Sequence, residues 1–208
     1  MDQAPLDYFA FFGLPRKLTL DVAALEKHFY VLSRKLHPDR FANKPLAEQE
    51  QALRQGSLLN DAYRTLKHPI ERTEYLLSLE GVELDEQSRK ATDDSNAAGT
   101  LKKQLVPPDL LEEVFELNMQ LEEMRAARKM GEDDPQLMQD LAAAKQNFDM
   151  QLSQLHVELE RLWAAWDAGV EADDSAAKEA AKAKMIELLN RRGYIRNLVR
   201  DVTEVLGD

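Results

Sequence analysis

Apolar residues return every third or fourth position along most of the chain. The steps are those of a helix with one buried face. In the first half, Val22, Leu25, Phe29, Leu32 and Leu36 fall on one stripe that begins after Thr19. His37-Pro38 ends this predicted helix, because the proline ring disfavours helical geometry in the residue before it. The polar stretch FANKPLAEQ follows as a loop, and a second helix then carries Ala52, Gly56, Leu59, Tyr63 and Leu66 on one face. Pro69 suits the first turn of a third helix bearing Leu76, Leu77 and Leu79, which Gly81 closes.

Periodicity is lost between residues 82 and 108. The small polar run ATDDSNAAGT and Pro107-Pro108 read as a linker. Beyond it, Asp109 has the character of an N-cap, with Glu112 three residues on. Leu110, Val114, Leu117, Leu121 and Met124 then share a stripe that GEDDP interrupts. A long apolar series follows from Leu137 through Phe148, Leu155 and Leu162 to Trp166. DAGVEADDS breaks it, and Ala181, Met185, Leu188, Ile195, Val199, Val202 and Leu206 mark a final helix. Three amphipathic helices joined by short breaks predict an antiparallel three-helix bundle. A continuous coiled coil is the alternative, disfavoured because both breaks hold glycine and several acids. Sustained alternation and Asn-Gly turns are lacking, so the expected class is all-α. The expected organisation is a helical domain over 1–81, a linker over 82–108 and a three-helix domain over 109–208.

Charge divides the chain at the same place. Residues 1–80 hold 11 basic and 11 acidic side chains, whereas 81–208 hold 16 and 27, the whole of the net −11. The acidic half argues against nucleic acid as partner, since phosphate repels it. The chain has no cysteine, which excludes disulfides and thiolate metal sites. His28, His68 and His156 lack partners at metal-ligand spacing, so no metal is expected. MDQAPLDYFAFFGLP has no basic region ahead of its apolar stretch, and no apolar run is long enough for a membrane span. A soluble, cytoplasmic protein is expected.

The first chemical feature is His37-Pro38-Asp39. The window 27–44 around it carries Lys27, Arg34, Lys35, Arg40 and Lys44 against one acid. Lys27 and Arg34, seven apart, share a helical face. A basic stripe beside a proline-fixed loop is a docking surface for an acidic partner. The alternative for Asp39 is a cap on the next turn, and for His37 a helix C-cap.

The second feature lies at 110–124. At about 100° per residue, Leu111, Phe115 and Met119 form a second apolar row nearly opposite the core stripe. Glu112, Glu116 and Glu123 border it. A three-helix bundle cannot bury both rows, so one should face solvent as a partner surface. The alternative is that the N-terminal domain or the linker covers it.

DYFAFFGLP, HPDRF and LNDAYRTLKHPIERTEYLLSLEG together resemble the J domain of the HscB family, the co-chaperones of iron–sulfur cluster assembly, over residues 6–81. LLEEVFELNMQLEEM resembles the family helix that binds the cluster scaffold, and Tyr194-Ile195 falls where the family has an aromatic–aliphatic pair. The stretch 125–190 matches by pattern more than by letters. The resemblance implies a J domain joined to a three-helix bundle. It implies that His37, Pro38, Asp39, Lys27, Arg34, Lys35 and Arg40 meet a DnaK- or HscA-type ATPase chaperone and stimulate its hydrolysis. It further implies that Leu111, Glu112, Phe115, Glu116, Met119, Glu123 and Tyr194 bind an IscU-like scaffold, with no cofactor and no membrane or nucleic-acid partner. Glu112 and Met119 stand where the family has Met and Glu respectively, and the linker is longer than the family's. The cysteine-rich N-terminal extension of some eukaryotic relatives is missing, which fits the bacterial type.

Two other function classes fit parts of the pattern: a general J-domain protein with another client, and a helical protein that only oligomerises. The 110–124 stretch argues against the first. A catalytic role has no candidate residues, since no nucleophile–base set, phosphate-cradling glycine loop or carboxylate pair stands out, and the chain is not expected to be an enzyme.

Overall fold

The computed structural model describes residues 7–84, 107–132 and 134–207. The described residues are all-α, as the periodicity predicts: α1 (Tyr8–Phe11), α2 (Val22–Leu36), α3 (Leu46–Lys67), α4 (Pro69–Leu79), α5 (Leu111–Met130), α6 (Pro135–Glu171) and α7 (Ser175–Leu206). Short 3-10 turns cover Pro38–Phe41 and Pro108–Leu110. All but the ends of the predicted linker, residues 85–106, lies outside the described residues. No described helix is long and apolar enough to cross a membrane.

Packing yields two compact units. One gathers Met1–Val82 with Trp163–Lys182; the other gathers Glu83–Leu162 with Ala183–Asp208. This differs from the sequence expectation that everything after residue 108 forms one domain. The reason is length: α6 has 37 residues, about 55 Å at 1.5 Å per residue, and its last turns with the first turns of α7 find their apolar partners among the N-terminal helices.

In the first unit the core is built from Phe9, Phe12, Leu18, Leu25, Leu59, Leu66, Leu76 and Leu77, with Trp163 and Trp166 buried as well. Asp7 caps α1 by accepting from the Phe9 amide, and Asp21 caps α2 by accepting from Ala24. On α2 only Leu25 is fully buried. Phe29, Leu32 and Leu36 are half-buried, and Phe29 stacks on Tyr63 of α3 with centroids 4.2 Å apart. Pro69 occupies the first turn of α4, and Gly81 takes φ +77° after it, as the sequence predicts.

In the second unit Leu110, Val114, Leu117, Leu121 and Met124 of the 3-10 turn and α5 form one core with Leu137, Leu141, Phe148 and Leu155 of α6 and Ile195, Leu198, Val202 and Val205 of α7. This is the expected bundle stripe, with the face of α7 turned slightly towards Leu198 and Val205. Gly131 ends α5 in the left-handed region at φ +76°, and Asp134 caps α6 through the amides of Gln136 and Leu137.

Two local expectations are corrected. Asp109 does not cap α5. It lies in the 3-10 turn, and its carboxylate pairs with Arg191 of α7, a stronger partner than a free amide. The break before α7 is narrower than DAGVEADDS, because α6 continues through Glu171 and only residues 172–174 turn. Asp173 makes that turn at φ +50°, a region aspartate tolerates, and Asp174 caps α7 through Ala177.

Candidate functional site

The first candidate site begins where α2 stops. His37 has φ −59° and ψ 129°, an extended geometry imposed by Pro38, and Pro38–Phe41 turns as a 3-10 helix. The Arg40 amide closes the turn on the His37 carbonyl at 3.0 Å. His37 Nδ1 stands 3.3 Å from the Asp39 amide and 3.4 Å from its carboxylate. Neutral Nδ1 accepts from the amide; protonated Nδ1 donates to the carboxylate. Either way the imidazole is held against Asp39. The Asp39 side chain keeps 90% of its surface exposed, so the turn offers a carboxylate to solvent.

Lys27, Arg34, Lys35 and Arg40 are all exposed, and among the described residues none has a carboxylate within ion-pair distance. Other exposed cations are paired, among them Arg16 with Asp7, Arg64 with Asp61 and Arg54 with Glu50. The seven residues nominated from the sequence therefore lie on one continuous stretch, helix into turn. A groove opens beside it, lined by Leu36, His37, Pro38, Leu53, Gly56 and Asn60. The sequence reading missed the α3 side of this groove, because Leu53 stands off the apolar stripe of its helix and is 57% exposed.

The second candidate site is the outer face of α5. Leu111, Phe115 and Met119 are 54%, 65% and 57% exposed, while Leu110, Val114, Leu117, Leu121 and Met124 are buried. The two rows predicted from the period are thus separated into core and surface, and no described residue covers the outer row. Glu112, Glu116 and Glu123 are exposed beside it. Tyr194 differs: it is half-buried and packs against the core of this unit. Arg191, one turn earlier on α7, pairs with Asp109 at the start of α5, which brings that part of α7 to the same end of the unit. The guanidinium holds the Asp109 carboxyl below its ordinary value. Gln151 of α6 donates to Glu113 on the flank of α5.

Among the described residues no group of His, Cys, Asp and Glu is arranged to hold a metal ion. Trp163 and Trp166 are core residues of the first unit, and the Trp166 indole donates to the Arg16 carbonyl.

No family model matches the chain. Among solved structures, the human co-chaperone protein HscB is 24% identical, with a TM-score of 0.55, and the match covers 97% of this chain and 84% of that one. The chaperone HscB from Vibrio cholerae is 26% identical over 92% of this chain and 96% of that one, with a TM-score of 0.47. The chain therefore has the fold of the co-chaperone protein HscB.

Proposed function

We propose that this chain is a member of the HscB family and acts as a J-domain co-chaperone, delivering an IscU-like iron–sulfur scaffold protein to a DnaK- or HscA-type ATPase chaperone. The observation that carries the reading is the His37-Pro38-Asp39 turn, exposed at the end of a helix whose basic side chains have no carboxylate partner among the described residues. In this reading the unpaired cations of α2 steer an acidic face of the chaperone onto the turn. Asp39, held by His37, supplies the charge that triggers hydrolysis by the chaperone. The hydrolytic chemistry belongs to the partner, and this chain contributes only binding.

The outer row of α5 is the scaffold-binding surface in the same reading. An exposed apolar row rimmed by acids is what a partner-binding patch requires. Leu111, Phe115 and Met119 supply the apolar contacts, with Glu112, Glu116 and Glu123 at the rim; Tyr194 supports the row from α7. The test is steady-state ATPase of the chaperone with this chain, with and without scaffold. Stimulation that rises further with scaffold is expected. No stimulation by any DnaK-type chaperone would refute the co-chaperone assignment, and stimulation indifferent to scaffold would refute the client.

A further inference from the structure

Asp167 is a charged residue that the proposed function does not use. It is 8% exposed and sits near the end of α6, in the part that packs within the first unit. One carboxylate oxygen accepts from the Leu18 amide at 2.7 Å and the other from the Thr19 amide at 2.8 Å. Leu18 is wholly buried, so its amide has no water to fall back on. Neither amide bonds a backbone carbonyl among the described residues.

The other side of Leu18 is also held. Its carbonyl accepts from Arg72 Nε at 2.9 Å, and the same guanidinium donates to the Leu66 carbonyl. Arg72 is 3% exposed; burial pushes it below its ordinary value, and the charge of Asp167 opposes that shift. Two residues earlier, the Arg16 carbonyl accepts from the Trp166 indole at 3.1 Å. The irregular segment between α1 and α2 is thus fastened by three side chains, two of them neighbours on α6. Gly169 lets the hairpin tip close behind them, since a Cβ there would lie 3.1 Å from Lys178 Cγ and 3.3 Å from the Lys178 amide nitrogen.

We propose that Asp167 is the positioning residue of this unit: its carboxylate fixes the segment that leads into α2, and residues 163–182 complete the fold that carries the His37-Pro38-Asp39 turn. Only a carboxylate suits the place. Each amide meets its own oxygen, and asparagine would set an NH2 donor against one of them. The exposed Lys17–Glu171 pair nearby adds little, as surface pairs do.

Amide hydrogen exchange on the full chain, followed by NMR, tests this. In the native chain the Leu18 and Thr19 amides should be protected. Asp167→Ala should speed both by tenfold or more. Asp167→Asn should speed at least one of them, and this conservative change carries the test if the alanine variant folds poorly. Glu171→Gln should change neither. Amides of α5 such as Leu117 and Leu121 should keep their native rates in every variant. Native protection of Leu18 and Thr19 in Asp167→Ala would overturn the proposal. So would equal acceleration across α5, which would mean general loss of stability in place of a local fastening.

Discussion

At the scale of single residues, the two aspartates that matter most do opposite things. Asp39 is exposed and, among the described residues, bonded within its own turn. Asp39→Asn keeps its size and removes its charge, so stimulation of the partner ATPase should be lost. The melting temperature should hardly move, because a surface change of this kind stays within about 0.5 kcal/mol. Full stimulation by this variant would dismiss the assigned role. Arg34→Glu should weaken docking at low salt and matter less as salt rises, because exposed charges are screened beyond a Debye length of ~8 Å at physiological ionic strength. Titrations at two salt concentrations check this, and binding that ignores salt would rule out steering by α2. Asp39 was legible because its neighbours in sequence are its neighbours in space. Asp167 was not. Its partners lie 149 and 148 residues away, and within DAGVEADDS it looks like one more solvated acid in a break.

At the scale of elements, α5 was the most legible, because a 3.6-residue period separates two apolar rows without knowledge of any neighbour. Its outer row carries the third prediction. Truncating a hot spot costs about 2 kcal/mol or more, so Leu111→Ala with Phe115→Ala should weaken scaffold binding by at least about 30-fold, at tenfold per ~1.4 kcal/mol. Both side chains are more than half exposed, so the melting temperature should fall little. Calorimetric titration beside thermal melts decides it: unchanged affinity would remove the site. The element's two ends were read unequally. Its C-terminal Gly131 follows from local chemistry, and Gly131→Ala should cost about 1 kcal/mol by forcing a Cβ into the left-handed region. Its N-terminus was misread, because Asp109 has a cap's local sequence while its partner Arg191 is 82 residues distant. The extent of α6 was misread in the same way. Glycine and acids near 169–174 signal a break, but α6 runs on through Gly169 and Val170 to Glu171, with Gly169 packed closely against Lys178 of α7.

At the scale of the whole molecule, acid stability provides a check on the long-range pairs. Asp109 is held below its ordinary value by Arg191, and Glu171 by Lys17. A depressed folded value means that the stabilisation is present above the unfolded value, about pH 4, and is lost as pH falls through the folded one. The stability gap between the native chain and Asp109→Asn should therefore be open at neutral pH and close in acid, and it should be small, since the pair is exposed. A gap that widens in acid, measured by melts across pH, would contradict the pairing. The joining of residues 163–182 to the N-terminal helices also bears on how the chain is made. The ribosome releases residue 182 a further 100 residues after residue 82 (182 − 82). At about 5–20 residues per second that is a delay of roughly 5–20 s. For most of it, until Trp166 and Asp167 are made, Leu18 and Thr19 have no carboxylate to receive their amides and Arg16 no indole for its carbonyl. The helices that bear the His37-Pro38-Asp39 turn are thus made well before the unit that holds them is complete, and for those seconds the apolar surface they keep for residues 163–182 is open to chaperones and proteases.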